Sequence, residues 1–182
     1  MTSYSYELKI PKERVAVLIG KNGEIKKSLE SDTKTNIKID SEEGDVFIHG
    51  EDALGLFTAR EVARSIGKGF NPEIAKLLLK QDYIIEVIGL KEFTGKSKNT
   101  LLRLKGRVIG KDGKSRRIIE DLSESHISVY GKFVSIIGTA ESASMAKRAV
   151  EALLRGSTHA NVYKWLEKKR RELKRKRIVE MV

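Results

Sequence analysis

Arg107-Val108-Ile109-Gly110-Lys111-Asp112-Gly113-Lys114-Ser115-Arg116-Arg117 reads as a helix end, a four-residue glycine turn and a helix start, with basic residues on both flanks. Ninety positions earlier stands Val17-Leu18-Ile19-Gly20-Lys21-Asn22-Gly23-Glu24-Ile25-Lys26-Lys27, with the same G-K-x-G core. A single G-x-x-G carries little weight, because about seven per cent of residues are glycine. Two copies in matched surroundings carry much more.

The surroundings do match. Leu29 and Ile119 follow the two turns at the same offset, as do Ile37-Lys38-Ile39 and Ile127-Ser128-Val129. The pair Val46-Phe47-Ile48-His49-Gly50 and Val134-Ser135-Ile136-Ile137-Gly138 then sits at an offset of 88. The slip falls where Ser41-Glu42-Glu43-Gly44 is replaced by Tyr130-Gly131-Lys132, a loop tip of the kind that tolerates length changes. The chain is a duplication.

Each half reads as β-α-α-β-β-α. In the first, Ser5–Ile10 alternates as a half-buried strand, Pro11 ends it, and Lys12–Ile19 forms a short helix closed by Gly20. Glu24–Thr33 is a helix, Asn36–Asp40 and Asp45–Gly50 a hairpin, and Glu51–Ile66 a longer helix with Leu54, Phe57, Ala59, Val62, Ala63 and Ile66 turned inward. Asn71 and Pro72 start a connector helix running to about Lys80. In the second half, Tyr83–Gly89 is expected to be a buried strand, with Ser97 or Asn99 capping the next helix. Lys114–Ser123 is a helix, His126–Tyr130 and Phe133–Gly138 a hairpin, and Ala140–Leu154 a helix with small inward residues. Ala160 to about Arg177 forms a last, basic helix with an apolar stripe of Val162, Leu166 and Leu173, and 178–182 is an apolar end that packs back or frays. The expected boundaries are 1–70, a connector at 71–82, 83–155, and a C-terminal helix at 156–182.

Charge separates the halves. Residues 1–80 hold 13 basic and 13 acidic residues, whereas 81–182 hold 23 and 12, so the whole net charge of +11 lies in the second half. A polyanionic partner for that half follows. The 182 residues include no cysteine, which excludes disulfides, thiolate metal sites and a cysteine nucleophile. No signal segment and no stretch of about twenty apolar residues is present, so a cytoplasmic, non-membrane protein is expected. Gly113-Lys114-Ser115 and Gly95-Lys96-Ser97 mimic the end of a P-loop, but positions 108 and 90 are Val and Leu where glycine is needed. His49, His126 and His159 lack metal-ligand spacing. No catalytic residues, metal or cofactor are expected.

A strand–helix–G-x-x-G–helix–strand–strand–helix unit resembles the KH domain, and both halves resemble it along nearly their full length. The resemblance implies an α+β fold of two tandem type I KH domains, each a three-stranded antiparallel sheet packed on three helices, plus the basic C-terminal helix. It also implies a clamp on about four nucleotides of a single strand. Missing Cβ atoms at the turn admit the nucleic-acid backbone, and the following helix aims its N-terminus at a phosphate. On this mapping the RNA-binding residues are Gly110, Lys111, Asp112, Gly113, Lys114, Arg116, Arg117, Lys105 and Arg107, over a groove lined by Val108, Ile109, Ile119, Ile127 and Val129. Gly20, Lys21, Asn22, Gly23, Lys26 and Lys27 form the weaker counterpart, since Glu24 offsets its charge. Many KH members carry an aliphatic residue where Lys26 and Arg116 stand, so these two are expected to face outward. The C-terminal helix is expected to add phosphate contacts.

Arg103–Ser115, Val134–Gly138, Leu154-Arg155-Gly156-Ser157 and Val162-Tyr163 are similar to the second repeat of the Pno/Dim family, partners of the Nob endonuclease. Retention of both glycine pairs resembles its archaeal members. This resemblance implies a monomeric ribosome-assembly factor bound to small-subunit rRNA near its 3′ end, with a Nob-type endonuclease or a translation initiation factor as protein partner. The alternatives left by the residues themselves are a KH-based protein-interaction adaptor and a single-stranded DNA binder.

Overall fold

The computed structural model describes residues 4–180. It divides into two compact units, the first ending at Ile85 and the second running from Glu86. In the first, β1 (Tyr4–Lys9), α1 (Lys12–Ile19), α2 (Glu24–Thr33), β2 (Thr35–Ile39), β3 (Asp45–Gly50) and α3 (Ala53–Gly67) are followed by the short α4 (Pro72–Ala75), which tightens into a 3-10 turn over Lys76–Leu79. The strands form an antiparallel sheet in the order β1-β3-β2, with Leu8 opposite Val46 and Ile37 opposite Ile48. Alternation in β2 explains the layering: Thr35 and Ile37 are buried, while Asn36 and Lys38 face water. Leu18, Leu29, Ile37, Ile48 and Ile66 are wholly enclosed. Each contributes about 1.5–3 kcal/mol by leaving water.

The second plan repeats the first. It comprises β4 (Tyr83–Gly89), a helical turn α5 (Lys91–Thr94), α6 (Lys98–Ile109), α7 (Lys114–Ser123), β5 (His126–Tyr130), β6 (Phe133–Thr139) and α8 (Ala140–Leu154). Sheet order is again β4-β6-β5. The 22-residue α9 (His159–Glu180) joins this unit's core through Val162 and Leu166.

Caps set the helix starts. Asp52 accepts from the Leu54 and Gly55 amides, so α3 begins at Ala53 and not at Glu51. Asn71 caps α4, Ser97 caps α6, and Thr139 caps α8. Three expectations need correction. Leu54 and Phe57 are 64% and 51% exposed, because the inward stripe of α3 runs through Leu56, Ala59, Val62 and Ile66. Strand β4 is not buried: of its isoleucines Ile88 is enclosed and Ile84 is 36% exposed, as suits the edge of its sheet. The apolar end does not pack back through Ile178 and Val179, which continue α9 exposed; Met181 and Val182 lie outside the described residues.

Candidate nucleic-acid interface

The two glycine turns have nearly the same backbone. Gly110 has φ 73° and ψ 174°, Asp112 φ 53° and ψ 28°, and Gly113 φ 75° and ψ 13°. Their counterparts are Gly20 (75°, 175°), Asn22 (53°, 24°) and Gly23 (75°, 17°). Two successive left-handed residues redirect the chain from one helix into the next. Asn and Asp fill the non-glycine position because they tolerate that region best.

The glycines of a pair do different work. Gly110 occupies a region open in practice to glycine alone, and a Cβ there would meet Ser115 Cβ and N at 2.7 Å. At Gly20 the same Cβ would overlap Ile25. The first glycine is thus required by the protein's own packing. Around Gly113 a Cβ would meet nothing within 4 Å, so the second glycine faces open space at the start of α7. That space, next to the unpaired amides of a helix N-terminus, is where a phosphate fits.

Exposed Lys111 and Lys114 flank the opening, and Arg117 donates to the Asp112 carbonyl at 2.8 Å, bracing the turn from α7. At the first turn Lys21 and Lys27 are exposed, with Glu24 exposed beside them. Lys26 and Arg116 do not simply face out. Lys26 Nζ lies 3.7 Å from Glu30 and Arg116 Nε 3.7 Å from Glu120. Those carboxylates in turn accept from the Ile37 and Ile127 amides, each at 2.7 Å. The glutamates, identical in both copies at the ninety-residue offset, lock the helix after each turn onto the strand behind it. Their duplication was the available signal.

The apolar lining is narrower than the sequence implies. Val108, Ile119 and Ile127 are at most 4% exposed and belong to the core. Ile109 and Val129 remain half-buried and able to meet a base, as do Ile19 and Ile39 in the first unit. Lys105 is half-buried on α6. Arg107 turns away to the far end of α8, donating from Nε to the Leu153 carbonyl at 3.1 Å and from its terminal nitrogen to Ser157. His159 Nε2 bonds the Arg107 carbonyl at 2.8 Å. Arg14 makes a similar tie in the first unit, to the carbonyls of Ile66 and Phe70.

Comparison with known proteins agrees with this geometry. Residues 5–64 match the KH domain, and residues 84–171 match the eukaryotic-type KH domain of type I. A KH domain-containing protein of Methanocaldococcus jannaschii is 50% identical over 174 residues, 93% of this chain and 76% of that protein. A solved chain from the a/eIF2alpha–aDim2p–rRNA complex of Pyrococcus horikoshii superposes with a TM-score of 0.87 at 44% identity, covering 93% of this chain and 96% of that one. The pre-rRNA-processing protein PNO1 of Coccidioides immitis is 30% identical over 115 residues, which is 63% of this chain and 42% of that longer protein.

Proposed function

We propose, for a chain that belongs to the tandem KH-domain family of the archaeal Dim2 and eukaryotic PNO1 proteins, that it binds single-stranded RNA in rRNA processing, gripping the strand chiefly with its second unit. The observation that carries this is the open space at Gly113, set at a helix N-terminus between Lys111 and Lys114. A strand's phosphate there meets free amides and two ammonium groups, while Ile109 and Val129 offer apolar contact to its bases. The solved complex that contains rRNA and the pre-rRNA-processing relatives support rRNA as the target; the choice of small-subunit rRNA near its 3′ end is what the family resemblance implies. The work is recognition and not catalysis. No helix of the described residues is long and apolar enough to cross a membrane, and a cytoplasmic site of action fits an assembly factor.

The test is fluorescence anisotropy at fixed salt with a single-stranded RNA of that 3′ sequence. Lys111→Asp is expected to weaken binding about tenfold, roughly 1.4 kcal/mol, while Lys21→Asp with Asn22→Asp changes it less than about twofold (about 0.4 kcal/mol). Equal loss in both variants would replace a single grip by a two-turn clamp. Binding of single-stranded DNA of the same sequence as tightly as RNA would overturn the RNA assignment.

A second reading concerns the first unit, whose charge is balanced. Leu54 and Phe57 are exposed on α3, Tyr4 and Tyr6 are exposed on β1, and Arg60 of α3 stacks over Tyr6 at 4.3 Å. This apolar face suits a protein partner, and an initiation-factor subunit is the candidate that the solved complex supplies. Phe57→Ser with Leu54→Ser should weaken co-sedimentation with that subunit at least fivefold (about 1 kcal/mol) and leave RNA affinity unchanged. Unaltered co-sedimentation would remove this face from the interface.

A further inference from the structure

The long helix α9 lies beside α7 and points the same way. His159 at its start bonds the Arg107 carbonyl, three residues before Gly110, and Arg177 near its end pairs with Glu124 at 3.1 Å, just beyond α7. Between them runs a shallow groove of about 460 Å³ lined by Leu122, Glu167, Arg170, Arg171 and Lys174. By helical rise, Leu122 sits about 12 Å along α7 from Lys114, the residue that opens the helix after the glycine turn.

Charges on α9 are sorted by flank. Toward α8, Lys169 is paired with Glu172 at 2.7 Å. Toward α7, among the described residues, Arg170, Arg171 and Lys174 form no ion pair, and Arg171 reaches only the Glu167 carbonyl at 3.4 Å. Arg170 is half-buried, and its Nε is enclosed with no acceptor. Three cations therefore converge on one groove in whose lining Glu167 is the one acidic residue, while Glu124, in the adjoining hollow that Arg170 and Lys174 also line, is paired with Arg177. Guanidinium forks lacking a carboxylate match the oxygens of a phosphate.

We propose that this α7–α9 groove is a second phosphate-binding site, which takes backbone phosphates of the RNA strand beyond the segment held at Gly110–Gly113. The inference rests on the RNA-binding reading above and extends it. The groove and the glycine turn lie at opposite ends of α7, so a short strand fills only the turn while a longer one reaches both. The site then adds affinity without sequence preference and fixes the direction in which the strand leaves the turn.

The test compares a four-nucleotide RNA with one several times longer, by anisotropy over a salt series, in the full chain. Arg171→Gln with Lys174→Gln alters exposed side chains, so the fold is retained, as circular dichroism will verify. For the long RNA the slope of log K against log salt should become shallower by about 1.4, the worth of two single-strand contacts. Binding of the four-nucleotide RNA should not change. Lys164→Gln with Lys168→Gln removes two exposed α9 charges outside the groove and should leave the slope of the long RNA nearly as it was. An unchanged slope in the groove variant overturns the proposal, as does an equal loss in both double variants, which would mean a diffuse field. Inorganic tripolyphosphate that displaces the long RNA only from the wild-type groove, at concentrations like those of the RNA itself, would reassign the site to a free anion and also overturn it. Lys111→Asp keeps the two ideas apart: if it weakens binding of both RNAs about tenfold while the groove variant does nothing, the RNA-binding reading stands and this one fails.

Discussion

Gly110→Ala is expected to lower the stability of the second unit by about 3 kcal/mol, and Gly113→Ala by about 1 kcal/mol. The difference comes from what each position meets. Alanine at 110 must hold a backbone conformation that L side chains disfavour by about 1–3 kcal/mol. Its Cβ must also displace Ser115, contacted at 2.7 Å through both side chain and backbone nitrogen, which adds an overpacking cost of about 1–3 kcal/mol. Alanine at 113 pays only for the left-handed region, about 1–2 kcal/mol, since nothing stands within 4 Å. Trp165, the one tryptophan, lies in the second unit and reports its unfolding selectively. In a domain of this size, 3 kcal/mol corresponds to a thermal midpoint lower by roughly 12 °C or more. RNA binding should rank the other way: the folded fraction of Gly110→Ala retains a usable phosphate site, whereas a methyl at 113 intrudes on it. Equal thermal shifts for the two variants would show that the turn has no such division.

That division also marks the limit of what the sequence discloses. The duplication exposed the element order, the hairpins and the turns, because period and punctuation are local properties repeated twice. It could not tell a glycine needed by its own chain from one that faces open space, since that depends on where Ser115 and Ile25 lie. The failures share a cause. Leu54 and Phe57 fit a helical period as well as their neighbours do, yet which arc of α3 faces the sheet is a tertiary decision. Val108, Ile119 and Ile127 stand where the family resemblance implies the groove lining, but they are enclosed in the core and do not line a groove. The net charge of the second half correctly singled out its turn as the more basic. Even so, it did not show which cations are already held by protein acceptors, as Arg116 and Arg107 are.

Arg107→Ala is expected to cost the second unit about 2 kcal/mol while leaving RNA affinity within about twofold of wild type (about 0.4 kcal/mol). Proximity to Gly110 and a positive charge recommended this residue as an RNA contact, but its guanidinium joins the end of α6 to the Leu153 and Ser157 carbonyls. These carbonyls belong to the last turn of α8 and to the link into α9; Leu153 also accepts from the Gly156 amide at 3.2 Å, so the guanidinium is its second donor. Charged donors to such carbonyls are worth about 1.5–3 kcal/mol each when enclosed, and partial exposure of the Ser157 contact lowers the total. The bond from His159 goes to the main-chain carbonyl of residue 107 and survives truncation, so the loss falls on the ties to Leu153 and Ser157. Arg107→Lys keeps the charge but has no planar fork to span two carbonyls, and it should recover less than half of the lost stability. Urea denaturation followed by Trp165 fluorescence measures the first effect, and anisotropy below the unfolding transition measures the second. If affinity falls tenfold in a variant whose stability is intact, Arg107 is an RNA contact after all. The outcome expected from the geometry is the reverse, since this side chain is fastened to the Leu153 and Ser157 carbonyls at the end of α8 and is not turned toward the opening at Gly113.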